Sequence, residues 1–150
     1  MLADAKRGAF DHIESLSGGA TRENIRAAME RLRAVDLDEK DTVVVYVSSH
    51  GTLARDAKGD LRRYLVTRET RMQDVAGTGL AMDELKASFE SLRSRRKVLV
   101  LATCHSGGGK SLLPGALQQE LAGVKAGFFV KPIEEASRSS VVLAACDWGE

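Results

Sequence analysis

The sequence has little of several residue types, and each shortage excludes something. Two cysteines, Cys104 and Cys146, make no disulfide framework and fit a reducing compartment, so a cytoplasmic location is expected. Lys plus Arg (22) nearly cancels Asp plus Glu (21), leaving a formal charge of +1. That balance offers no electrostatic footprint for nucleic acid or for an anionic membrane surface. No apolar run reaches the roughly 18–20 residues of a transmembrane helix. Residues 1–10 (MLADAKRGAF) hold no apolar stretch suited to a secretory signal. Aromatics make up 5% of the chain and prolines number two, and neither a repeat nor a low-complexity tract is visible. What is present is ordinary globular material, 43% hydrophobic and 29% charged over 150 residues, a single-domain length.

Three short apolar runs rich in β-branched residues predict buried strands: 42–48 (TVVVYVS), 97–102 (KVLVLA) and 140–145 (SVVLAA). Their apolarity is continuous rather than alternating, as in parallel strands covered on both faces. Weaker strand signals lie at 10–16 (alternating), 64–66 and 127–130. Helices are predicted between them. Thr21 can cap one whose apolar face is Ile25, Met29 and Leu32; Asp83 can open another carrying Leu85, Phe89 and Leu92. Pro114 can start a third with Leu117 and Leu121, ending at Gly123. Alternating strands and helices predict an α/β fold with a mostly parallel central sheet flanked by helices. Stretches 51–63, 67–80 and 106–113 read as irregular.

In open parallel sheets, function gathers at the carboxyl ends of the strands. Here 42–48 runs into Ser49-His50-Gly51, and 97–102 runs into Thr103-Cys104-His105-Ser106-Gly107-Gly108. A free thiol has a pKa of about 8.5 and becomes a useful nucleophile beside a base, and histidine is the usual partner. Either residue alone is more often structural; the two together at adjacent strand ends point to nucleophilic catalysis. Gly51, lacking a side chain, lets its N–H approach an oxyanion, and the N–H of Cys104 is a second candidate donor.

These residues carry a family resemblance. Ser48-Ser49-His50-Gly51 resembles the S-G-H-G that follows a hydrophobic strand in caspase-like and metacaspase-like cysteine peptidases. Thr103-Cys104-His105-Ser106-Gly107-Gly108 resembles their D-S-C-H-S-G signature, and His50 lies about 54 residues upstream of Cys104, near the roughly 50-residue spacing of caspases. Ala20-Thr21-Arg22-Glu23-Asn24-Ile25 resembles the start of the helix before the histidine strand, and 141–146 (VVLAAC) resembles the strand opening the smaller subdomain. The resemblance implies a caspase-like sandwich in which about 1–124 is the large-subunit part. Residues 125–150 are then the linker and the start of the small-subunit part.

It also implies roles. Cys104 is the expected nucleophile and His50 the group that protonates the leaving amine, with Gly51 and Cys104 as oxyanion donors. Ser48, Ala102, Ala145, Cys146 and Asp147 are expected to contact the substrate. Metacaspase-like enzymes carry Asp two residues before the nucleophile to bind a basic residue; here that position is Ala102. Asp147, Asp4 or Asp11 are alternative sources of the charge, and cleavage after a basic residue remains the expectation. Glu69 stands where the family has Asp. Relatives extend further at both ends, so three expectations stay open: a compact variant, a fragment truncated at both ends, or one piece of a processed or multi-chain enzyme completed by a second chain or homodimer. Self-processing is expected in the linker holding Lys110, Lys125, Lys131 and Arg138. The chemistry requires no cofactor and no metal, and the partner is a protein or peptide substrate.

Three other readings compete. Gly107-Gly108-Gly109-Lys110-Ser111 suggests a phosphate loop, but the first glycine of that pattern falls on Cys104. Zinc held by His50, Cys104, His105 and Cys146 matches no structural zinc spacing. A catalytically inactive caspase-like scaffold or regulatory binding module stays open, favoured by Ala102 and opposed by the presence of both Cys104 and His50.

Overall fold

The computed structural model describes residues 10–105 and 140–144. Its elements are α1 (Arg22–Ala34), β1 (Thr42–Arg55), β2 (Leu61–Leu65), α2 (Val75–Thr78), β3 (Leu80–Ala81), α3 (Met82–Glu90), β4 (Arg96–His105) and β5 (Ser140–Ala144). The strands form one five-stranded sheet in the order β3-β2-β1-β4-β5. This is an α/β fold, but the sheet is mixed rather than mostly parallel. β1, β4 and β5 run parallel, whereas β2 and β3 pair antiparallel.

The mixture arises because β1 does not stop where its apolar run stops. It continues through Ser49-His50-Gly51 to Arg55 and returns as β2, converting the expected irregular stretch 51–63 into a hairpin. Asp56 closes that turn, its side chain accepting from the N–H of Lys58 (2.8 Å) and of Asp60 (3.0 Å). Gly59 sits at φ 87°, a conformation that disfavours any side chain. Arg62 is held by Asp56 (2.5 Å) and Asp83 (3.1 Å), and its guanidinium keeps the Asp56 carboxyl below the usual carboxylate range.

α1 starts as expected: Thr21 accepts from the N–H of Asn24 at 3.1 Å. α3 opens one residue before Asp83, and its cap, Ala81, offers no side-chain hydrogen bond, which no capping rule would find. α1 and α3 cover the same face of the sheet. Met29, Leu85 and Phe89 pack there with Val43, Leu99 and Leu101, and Phe89 is fully buried. Arg26 and Glu84 join the two helices through a two-pronged ion pair, which lowers the Glu84 carboxyl pKa. On the opposite face, Val75 of α2 packs with Ala54 and Tyr64 at the hairpin end of the sheet.

That opposite face departs from expectation. Continuous apolarity predicted strands covered on both sides, yet Val44 is 43%, Tyr46 64% and Val141 54% exposed among the described residues. The alternating stretch 10–16 forms no strand; Ile13 is exposed and Glu14 pairs with Arg31 of α1. Alternation alone cannot make a strand without a neighbour to complete its ladder. The helix expected at Pro114 and the strand expected at 127–130 lie outside the described residues. No helix among the described residues is long and apolar enough to cross a membrane.

Lys97 opens the run KVLVLA, yet it is buried. Its Nζ donates to the carbonyls of Glu90 (2.8 Å) and Leu92 (3.1 Å) and lies 5.5 Å from the centre of the Phe89 ring. A cation there satisfies carbonyls left over at the end of α3, with the helix dipole in its favour. Below it, the register of β1 against β4 is pinned. Ser94 Oγ donates to the Asp41 carbonyl (2.6 Å) and accepts from Arg96 N–H (3.0 Å), while Arg95 N–H donates to the Glu39 carbonyl (3.0 Å). Ser94 is buried, so replacing it with Ala leaves two main-chain groups without that partner. Ser94→Ala is expected to cost about 1–3 kcal/mol in urea unfolding; a change within about 0.5 kcal/mol would show that the pin carries no weight.

Candidate active site

From Thr42 against Arg96, the parallel ladder runs without interruption to Gly51 against His105. Its penultimate rung sets His50 directly opposite Cys104. Adjacent strands lie about 4.8 Å apart, and residues opposite one another belong to the same face of the sheet. The next rung of that face pairs Ser48 with Ala102, and the one below pairs Tyr46 with Val100. The two residues expected to be catalytic therefore have their main chains inside the ladder, not on loops after it. A one-residue slip in β4 would move Cys104 to the opposite face.

His50 is exposed, and its main chain is fixed from the far side. Its carbonyl accepts from Val66 N–H at 2.8 Å, and Ser49 Oγ donates to the Val66 carbonyl at 2.5 Å. The stretch after Val66 is itself tied down. Thr70 Oγ1 accepts from Thr67 N–H (2.8 Å), and Arg68 donates from its backbone to the Ala20 carbonyl (3.1 Å) and from its side chain to the Gly18 carbonyl (2.7 Å). Glu69, at the position where the family's Asp was expected, accepts from Arg22 N–H at 2.5 Å with Oε1. It thereby serves the first turn of α1, where unpaired N–H groups and the helix dipole favour a carboxylate. Its Oε2 is buried and takes no hydrogen bond among the described residues. These contacts link the start of α1, the 66–70 stretch and the His50 end of β1 into one frame.

Gly51 is the residue at which β1 changes partners: it is opposite His105 of β4 and opposite Leu65 of β2. It is buried and hydrogen-bonded. In the hairpin beside it, burial lowers the Arg63 guanidinium pKa and raises that of the Tyr64 phenol. Gly79, in the stretch expected to be irregular, packs under the same hairpin; a Cβ there would stand 2.9 Å from the Val75 carbonyl.

Of the residues expected to contact substrate, Ser48 is exposed and Ala102 half-buried, side by side on the rung before the His50–Cys104 rung. Ala145, Cys146 and Asp147 lie outside the described residues, as do Asp4, the glycine-rich stretch 106–109, Lys110 and the linker basic residues. Asp11 is described and exposed. β5 runs parallel to β4 with Ala144 opposite Leu101, so its carboxyl end lies at the same end of the sheet as Cys104.

A comparison with protein families matches the model described as Caspase domain over residues 11–144. The chain belongs to the caspase-domain family. That family is one of cysteine peptidases, so its general activity is cleavage of peptide bonds by a cysteine. Searches among curated proteins and among solved structures gave no match. Within this caspase domain, sequence reasoning missed Ser49, whose hydroxyl anchors the histidine strand, because one serine beside a histidine carries no pattern. It also missed the frame role of Glu69, whose partner is 47 residues away. Ser49→Ala is expected to speed amide exchange at Val66, the donor to His50, by about tenfold, corresponding to roughly 1.4 kcal/mol. Unchanged exchange at Val66 would contradict the anchoring role.

Proposed function

We propose that this caspase domain is an endopeptidase in which Cys104 is the nucleophile and His50 its proton partner. The observation carrying the reading is the rung that sets His50 opposite Cys104. An imidazole there takes the thiol proton, raising the thiolate fraction near neutral pH. The thiolate attacks the carbonyl carbon of the scissile bond, and the carbonyl oxygen becomes an oxyanion. Collapse expels the amine, which receives a proton from the His50 imidazolium, leaving an acyl group on Cys104. Water, deprotonated by His50, then releases the acid and restores the thiol. No step needs a group beyond the chain and water.

Cleavage after Arg or Lys is the preference we assign. Ser48 forms one wall, and Asp147, shortly beyond the carboxyl end of β5, supplies the carboxylate that Ala102 lacks. The linker lysines and Arg138 make the chain a substrate for its own site. Fluorogenic peptides ending in Arg, Lys, Asp or an uncharged residue test this on the full chain. Turnover is expected with Arg and Lys, and Cys104→Ala is expected to abolish it and to leave the chain intact during storage. Turnover surviving Cys104→Ala would overturn the mechanism. Folded protein that neither cleaves nor is labelled by any peptidyl electrophile would favour a binding module.

A further inference from the structure

The main chain of His50 is held from outside the β1–β4 ladder through Val66 and the turn that follows it. Val66 N–H donates to the His50 carbonyl (2.8 Å), and Ser49 Oγ donates to the Val66 carbonyl (2.5 Å). The next residues close on themselves. Thr67 N–H donates to Thr70 Oγ1 (2.8 Å), the two hydroxyls lie 2.9 Å apart, and Thr70 N–H donates to the Thr67 carbonyl (3.1 Å). Thr67 is buried, so these bonds replace the water it has lost. A turn closed in this way can shift as one body, and its ties to the rest of the fold decide where it stands. Arg68 ties it to the carbonyls of Gly18 and Ala20, in a loop where Gly18 sits at φ 77°. Glu69 ties it to a packed element. Its Oε1 accepts from the N–H of Arg22 (2.5 Å), the first residue of α1, and α1 is seated in the core by Met29. Thr21 already serves the N–H of Asn24, so Glu69 answers a different free donor of the helix and meets the positive end of its dipole. The Arg22 guanidinium in turn donates to the Gly77 carbonyl of α2 (2.7 Å).

We propose that Glu69 is a positioning residue for the peptidase reaction: its bond to the first N–H of α1 sets where the 67–70 turn stands and, through Val66, where the His50 main chain stands. The inference rests on the reading of Cys104 and His50 as the reacting pair. The ladder fixes His50 on the β4 side, and Val66 fixes it on the β2 side. An imidazole moves with its main chain, so a shift at Val66 is passed to the ring atoms that must meet the thiol. Misplacing a reacting group by about 1 Å costs up to about a hundredfold in rate. Ser48, by contrast, is held by its rung with Ala102, and the other substrate contacts we assign lie toward β5. The loss is therefore expected in kcat and not in KM.

Arg22 offers a test that spares the helix. It is the first helical residue, where proline is tolerated, and Thr21 before it is extended (φ −81°, ψ 159°), as a residue preceding proline prefers. R22P deletes the N–H that Glu69 accepts, whereas R22A keeps that N–H; both delete the guanidinium. On the full chain with an Arg-ended fluorogenic peptide, R22P is expected to lower kcat about tenfold with KM held within about twofold. R22A is expected to keep at least about half of the wild-type kcat. E69A is expected to reproduce the R22P loss, and E69Q, which keeps an oxygen at the same reach, to recover most of it. The double variant R22P/E69A is expected to be no slower than the slower single variant, because both substitutions break one bond. In R22P the midpoint of Cys104 alkylation is expected to move toward the ordinary thiol value of about 8.5, which a loss of stability alone does not produce. Equal kcat in R22P and R22A, E69Q as slow as E69A, or losses that multiply in the double variant would each overturn the proposal. If R22P does not fold, E69A against E69Q decides it. Failure of the underlying reading looks different: wild type and His50→Ala then share one alkylation profile, and the positioning role falls with the reaction.

Discussion

Everything at this site depends on the parallel register between β1 and β4. Ten consecutive rungs fix where the Cys104 main chain stands relative to His50, across an intervening chain that holds the rest of the hairpin, α2, β3 and α3. The register is set at the far end of the ladder, where Ser94 and Arg95 bond to Asp41 and Glu39. It is held from one face by the packing of α1 and α3 on Val43, Leu99 and Leu101. A slip of one residue would leave the strands hydrogen-bonded yet part the proposed pair. Core packing is therefore a condition of the chemistry we propose.

The two faces of the sheet divide the work. One is closed by helices and carries the core, with the Lys97 ammonium buried against the carbonyls of Glu90 and Leu92 at and just past the end of α3. The other carries His50, Ser48 and Ala102, bounded at the hairpin end by the Val75–Tyr64 cluster. Below the site, that face stays apolar and exposed among the described residues.

Much of this was legible in the sequence. The apolar runs at 42–48 and 97–102 lie in β1 and β4, and residues 140–144 of the third run form β5, because β-branched residues favour extended strands even though one face of this sheet stays exposed among the described residues. Thr21 capped its helix, and the Cys-His-Ser-Gly and His-Gly motifs led to the family. What was illegible depended on tertiary partners. Nothing local shows that β1 continues past His50 to Arg55, because residues 51–55 become a strand only by pairing with β2. Stretch 10–16 has a strand's alternation without a ladder. Nor is the burial of Lys97 legible locally, because its acceptors, the carbonyls of Glu90 and Leu92, are brought to it only by the fold. The mixed sheet follows from the same hairpin.

The central claim is that the fold makes His50 and Cys104 a working pair, and the pH dependence of Cys104 alkylation measures it most directly. Alkylation of the full chain with iodoacetamide, read at Cys104 by mass spectrometry, is expected to rise with a midpoint below the ordinary thiol value of about 8.5. In His50→Ala the midpoint is expected to return toward that value. Identical profiles for the two proteins, both near about 8.5, would contradict the account.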